Sequence, residues 1–296
     1  MGPCLPSARA EETLQGFKYF RLLGPLFDHL HRATTERDRA GNRQLFYDQY
    51  ASLLVLDFFN PVVTSLRGLQ QTTTLATVQE RLGVRPTSLS ARSEAAYVFD
   101  AALLYEVLIT LGARLRPQLP LAEHAALAQL IAVDGSLLPA LPRMAWALWQ
   151  DDQHRAAKMH VAFAVLCQGP VDVTVTAGNG SERAEWRHLV QPGGVYVVDR
   201  GYVDYSLFQE LHDLPCSFLC RVKDNAAYEV QEERALAPAA VHAGVVREAV
   251  LRRLGTAHHT RLLPQPFRVV QVATGKTRKD GTPDVMVLVT NRLDVD

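Results

Sequence analysis

Val195-Tyr196-Val197-Val198-Asp199-Arg200-Gly201-Tyr202-Val203-Asp204-Tyr205 decides how this sequence folds. Gly193-Gly194 leads into apolar, mostly β-branched residues that read as a short buried strand. The strand runs directly into an acid, Asp199, and Asp204 then stands where an N-cap would start a helix to about Leu211. Earlier in the chain, Leu130-Ile131-Ala132-Val133 reads the same way: a short apolar strand ending in Asp134, with the turn residues Gly135-Ser136 behind it. The carboxyl ends of strands in an α/β sheet form the crevice where ligands bind. If these two strands are neighbours, Asp134 and Asp199 converge there without being close in sequence.

Two converging carboxylates with no His or Cys partner suit Mg²⁺ or Mn²⁺, which take hard oxygen ligands. Carboxylates that hold two such ions about 3.5–4 Å apart serve in-line attack on a phosphodiester. Each Asp taken alone reads better as a cap on a strand-to-turn transition, and only the two together, each followed by a glycine-containing turn, bring the metal reading level with it. Both readings stand at this point.

Working outward, Met159–Cys167 and Val171–Val175 are strand-like runs around a hairpin turn at Gln168-Gly169-Pro170. Ser181 is placed to cap a short helix through about Val190, with Glu182 and Glu185 in its first turns. Cys216–Val222 reads as the next strand. From about residue 225, strands at Val245–Leu251, Thr260–Leu263, Phe267–Val272 and Val285–Thr290 make a mostly β region, with Lys276–Gly281 as an exposed hairpin tip. Before residue 125 the pattern is helical. Leu45, Tyr47, Tyr50, Leu53, Leu54 and Phe58 recur at helical spacing up to a stop at Asn60-Pro61, and Ala95–Leu115 reads as one long helix ending before Pro117. Between them, short helices split by turns and carrying Arg67, Arg81, Arg85 and Arg92 suit either a small DNA-binding unit or an ordinary helical domain with a solvated Arg face. The expected domains are therefore a helical N-terminal region (1–125), a mixed α/β core (126–224) and a β-rich segment (225–296).

Ile131-Ala132-Val133-Asp134-Gly135-Ser136 followed by Tyr196-Val197-Val198-Asp199-Arg200-Gly201-Tyr202 resembles the first two acidic blocks of the DDE transposases of bacterial insertion sequences, and more narrowly the IS-four family. Lys158-Met159-His160 and Phe218-Leu219-Cys220-Arg221-Val222-Lys223 are similar to that family as well. The resemblance covers about residues 130 to 294. It implies an RNase H-like catalytic core with a β-rich insertion after the strand carrying Arg221. It also implies Mg²⁺ or Mn²⁺ held by Asp134 and Asp199, and a DNA 3′-hydroxyl or water as nucleophile. Arg221 and Lys223, with Arg200 and Lys158, are then expected on phosphates of double-stranded DNA, although Lys158 and His160, alternating to one face of a strand, read equally as a satisfied surface pair. A homodimer and a cytoplasmic, nucleoid-associated location in a bacterium accompany the family. Its third acid, a Glu, follows the β insertion on a helix with a Tyr, Arg, Glu, Lys pattern. The sequence stops at Asp296, where that helix is expected to begin, and Glu210, Glu229, Glu232 and Glu233 fall in other elements. A truncated transposase, impaired in catalysis, is the resulting expectation.

Composition sets the outer limits. At 296 residues with 48% hydrophobic and 21% charged residues, the chain has the make-up of globular domains and not of a disordered or collagen-like protein. No apolar run is long enough for a membrane span, and the first residues lack a signal-peptide pattern. Four cysteines are too few and too irregular for a disulfide framework, which points to a reducing compartment. Lys plus Arg equals Asp plus Glu at 31 each, so DNA binding would have to rest on a local basic face. Two other classes remain open: a non-catalytic DNA-binding or inhibitory transposase fragment, and an unrelated metal-dependent nuclease.

Overall fold

The computed structural model describes residues 14–38, 41, 43–61, 63, 65–115, 129–140, 144–149, 154–223, 225–256, 258–279 and 281–294. Pro117, the boundary expected at 125/126, Asp224 at the second boundary, and Cys4 lie outside them. The chain divides into two compact units, residues 1–110 and 111–296.

The first unit is helical: α1 (Phe17–Arg37), α2 (Tyr47–Phe59), α3 (Leu66–Thr72), α4 (Ala76–Leu82), α5 (Leu89–Val98) and α6 (Ala102–Gly112), whose last turn crosses into the second unit. Asn60 ends α2 as its spacing predicts. The long helix expected over Ala95–Leu115 is instead two, α5 and α6, bent by 79°. Tertiary contacts impose the break. Phe99 turns extended, with its ring stacked on Tyr47 at 4.6 Å, and the Tyr47 hydroxyl donates to the Asp100 carbonyl at 2.9 Å. The Asp100 carboxylate then accepts from Ala102 N at 3.0 Å and starts α6 afresh. Arg92 also departs from a solvated Arg face: it is buried and donates to the Leu66 carbonyl, whereas Arg67, Arg81 and Arg85 are exposed. No single helix among the described residues is long and apolar enough to cross a membrane.

The second unit is built on one nine-stranded sheet: β1 (Leu130–Pro139), β2 (Ala156–Ala164), β3 (Gly169–Ala177), β4 (Val195–Val198), β5 (Ser217–Arg221), β6 (Ala226–Glu233), β7 (Val245–Thr256), β8 (His259–Thr277) and β9 (Pro283–Thr290). Helices α7 (Glu182–Leu189), α8 (Tyr205–Asp213) and the short α9 (Pro238–His242) lie between strands in sequence. The order across the sheet is β3-β2-β1-β4-β5-β9-β8-β7-β6, with β1, β4 and β5 parallel and the remaining pairs antiparallel. Val133, Val198 and Cys220 face one buried layer, which Trp186 of α7 and Leu207, Phe208 and Leu211 of α8 fill. Phe208 stacks on Phe218 at 4.5 Å, and Phe267 of β8 meets Phe218 edge-on at 5.5 Å. The strands after residue 225 therefore share their core with the strands before it.

Two local expectations change. Thr260–Leu263 and Phe267–Val272 are parts of a single strand, β8, whose register against β7 jumps from Leu251↔Phe267 to Arg253↔Leu262. Pro264 and Pro266 cannot donate to a ladder, and they fall in the bulge where no ladder bond is required. Likewise β1 does not end at Asp134. Its parallel pairing with β4 stops at Val133↔Val198, but antiparallel pairing with β2 carries it on to Pro139↔Ala156. A strand with two neighbours continues as long as either one supplies hydrogen bonds.

Candidate active site

Asp134, Asp199 and Arg221 stand in one row across three parallel strands. The pairs Val133↔Val198 and Val198↔Cys220 are in register, and each of the three residues follows by one step. Neighbouring strands lie about 4.8 Å apart. Because side chains alternate along a strand, the row points away from the layer that buries Val133, Val198 and Cys220. Asp134 and Asp199 are exposed, and Arg221 is half-buried. Asp199 is extended at the end of β4, and its carbonyl accepts from Tyr202 N at 3.0 Å to close a 3₁₀ turn over Arg200–Tyr202. The Asp134 carboxylate accepts from Gly135 N at 2.8 Å. Among the described residues, neither carboxylate forms an ion pair, and neither do Arg200, Arg221 and Lys223. Arg200 and Lys223 are exposed, so the cations expected beside the carboxylates are available to a ligand.

Lys158 is placed differently from that expectation. It pairs across the strands with Leu137, three residues from Asp134, which puts it on the opposite face of the sheet. Its side chain is only 13% exposed, and its ammonium lies 3.3 Å from Glu182 and 3.4 Å from the Gly180 carbonyl. This correction has a plain cause: alternation along β2 is legible in sequence, but which face α7 covers is not. Glu182 is the partner that sequence reasoning missed, having read it as a first-turn acid of α7.

His160 shares that covered face and is fully buried. Thr176 Oγ1 lies 3.0 Å from Nε2, and the Tyr202 hydroxyl 3.4 Å from Nδ1. Burial drives the imidazole below its usual pKa, with nearby Glu185 opposing and Lys158 reinforcing the change. Burial likewise pushes the Tyr202 phenol up, helped by Glu182, Asp134 and Glu185. A Cβ at Gly135 would come 3.3 Å from the Tyr202 hydroxyl and 3.4 Å from His160 Nδ1, so the backbone there passes close over both groups. A buried polar group therefore underlies both Asp134, through Gly135, and the Asp199 turn, through Tyr202.

The two-carboxylate pair fits a hard divalent ion. Mg²⁺ retains several waters and is commonly held by one or two carboxylates, with substrate phosphates completing its shell. No group of three or more His, Cys, Asp or Glu residues at metal-binding spacing occurs among the described residues.

The family model described as the transposase DDE domain matches residues 126–292. The curated "Putative transposase y4zB" of Sinorhizobium fredii is 26% identical over 165 residues, which are 55% of this chain and 44% of that protein. The chain thus spans less than half the length of this curated relative. Among solved structures, a piggyBac transposase synaptic complex with hairpin DNA aligns over 98% of this chain and 63% of its own, at 10% identity and a TM-score of 0.46. A Mos1 transposase paired-end complex with the left transposon end aligns over 57% of each chain, at 10% identity and a TM-score of 0.23.

Proposed function

Since the chain belongs to the transposase DDE-domain family, we propose that Asp134 and Asp199 form the metal-holding pair of a site for DNA cleavage and strand transfer at insertion-sequence ends, of the IS-four kind. The observation that carries this reading is the row Asp134, Asp199, Arg221 at the ends of β1's parallel ladder, β4 and β5, with its charges unpaired. A second observation supports an RNase H-like core: the antiparallel meander β1, β2, β3 with β4 and β5 parallel to β1, in the order β3-β2-β1-β4-β5.

When bound, Mg²⁺ or Mn²⁺ would polarise a phosphoryl oxygen and lower the pKa of a water or 3′-hydroxyl nucleophile. The chain's own residues have simpler tasks. Asp134 and Asp199 supply the oxygens. Arg221 beside them, with Arg200 and Lys223, offers charge to the phosphates of double-stranded DNA, where a guanidinium fork suits two oxygens. Lys158, engaged with Glu182, helps fix α7 and the Gly201 turn, because Gly201 lies directly against the Glu182 carboxylate. Asp134 and Asp199 would hold an ion directly, with waters and substrate phosphates completing its shell.

The test uses the purified chain with duplex DNA taken from both flanks of its own gene, with Mn²⁺ or Mg²⁺. Divalent-dependent nicking is expected, lost about 100-fold or more in Asp134→Asn and in Asp199→Asn, as for removal of a group that stabilises the transition state. Calorimetry should show Mn²⁺ affinity falling at least about 10-fold in each variant. Cleavage or Mn²⁺ binding unchanged in both variants would overturn the assignment. End-specific binding without any cleavage would leave the non-catalytic fragment as the better reading.

A further inference from the structure

Beside the turn that follows Asp199 opens a cleft of about 330 Å³. Four separate parts of the second unit wall it: Arg183 in the first turn of α7, Val203–Ser206 leading into α8, Lys223 and Asn225 beyond β5, and the β7–β8 hairpin with His259 and Arg261. Arg183, Lys223 and Arg261 are exposed and form no ion pair among the described residues. Eight other arginines in this unit, from Arg187 to Arg292, each lie within 4.0 Å of a carboxylate.

The acid in the wall, Asp204, does not neutralise them. Its Oδ1 accepts from Ser206 N, Ser206 Oγ and Leu207 N, and its Oδ2 faces Arg187 at 3.6 Å. Three basic side chains thus line one opening, and among the described residues no carboxylate pairs with them, in a chain whose formal net charge is zero. Such a cleft selects anions. Its cations come from different elements and remain exposed, which suits successive charges of an extended polyanion better than one enclosed phosphate.

We propose that this cleft grips adjacent phosphates of the nucleic-acid strand whose scissile phosphate lies at the Asp134–Asp199 pair, with Arg183 and Arg261 as the binding residues; this rests on the DNA reading above. Val203 of the cleft wall follows Asp199 by four residues, so the two lie no more than about 14 Å apart, within reach of about four nucleotides at a rise of about 3.4 Å. Arg261 reaches the strand from the β7–β8 hairpin, giving that hairpin a task in holding substrate.

The full chain and the double variant Arg183→Ala/Arg261→Ala are titrated with a duplex DNA at several salt concentrations, and separately with inorganic pyrophosphate. The wild type is expected to bind both. In the double variant the slope of log affinity against log salt should fall by about 0.9 for each phosphate left without its arginine, and pyrophosphate binding should weaken at least about tenfold. Arg183→Lys/Arg261→Lys should keep most of the slope, which separates a missing charge from a damaged fold. DNA bound with an unchanged slope in the Ala variant overturns the cleft and leaves the DNA reading standing. Pyrophosphate bound through Arg183 and Arg261 by a chain that ignores DNA keeps the anion cleft and overturns its nucleic-acid assignment. Binding of neither overturns both.

Discussion

His160 is held from both sides of its ring. Thr176 Oγ1 donates its proton to the Ala177 carbonyl at 3.1 Å, so it accepts from His160, and Nε2 carries the ring proton. Nδ1 is left to accept from the Tyr202 hydroxyl. The neutral imidazole is thus the form the fold selects, consistent with its lowered pKa. The stability consequence follows by linkage. A folded pKa below the unfolded value of about 6.5 means that the unfolded chain binds the proton more readily. The contribution is full above that value and is lost as pH falls toward the folded pKa. Denaturant melts at pH 7.5 and 5.5 should show wild type losing more stability than His160→Gln over this interval. At pH 7.5, His160→Phe should cost about 1–3 kcal/mol by leaving the Tyr202 hydroxyl without its acceptor. Equal losses between the two pH values in wild type and His160→Gln would contradict the neutral, Tyr202-bonded assignment. Lys158 and His160 were legible as partners on one strand face. Their engagement with Glu182, Tyr202 and Thr176 was not, because those residues arrive from other elements.

At the scale of elements, the strands after β5 are fused to the core through Phe267. Its ring lies 5.5 Å from Phe218 and 6.4 Å from Phe208, fully buried between β5, α8 and the sheet. Phe267→Ala should therefore cost about 3–5 kcal/mol, and β5 and α8 should lose hydrogen-exchange protection together with β8. Protection lost in β8 alone would mean that the later strands form a separable layer. Elements with strong local signals were readable: α7 from Ser181, α8 from Asp204, β4 from its apolar run. The break between α5 and α6 was not, because Ala95–Leu115 is helix-compatible throughout. Only the stacking of Phe99 on Tyr47 and the bond to Asp100 interrupt it.

For the whole molecule, equal numbers of acidic and basic residues make arrangement matter more than total charge. Among the described residues, eight arginines of the second unit stand in ion pairs, whereas Arg183, Arg200, Arg221, Lys223 and Arg261 form none and lie near the ends of β4 and β5 or in the adjoining cleft. If about five of these meet phosphates, affinity for duplex DNA should fall with salt at a log–log slope near −4.5. Fluorescence anisotropy between about 50 and 200 mM salt reads this as a loss of several hundredfold. A salt-independent affinity would contradict phosphate binding altogether.

By itself, the sequence determined the local pieces: which residues alternate, where helices are capped, and that two apolar strands run into Asp134 and Asp199. Such signals act over a few residues, through hydrogen bonds and side-chain period. Only the tertiary structure decided that β1, β4 and β5 lie side by side in register, which sets Asp134 beside Asp199 and Asp199 beside Arg221. It alone turned Lys158 to the covered face and brought Arg183, Lys223 and Arg261 to one cleft. Strand order and register are fixed by pairing and burial between segments far apart in the chain, so no local pattern encodes them.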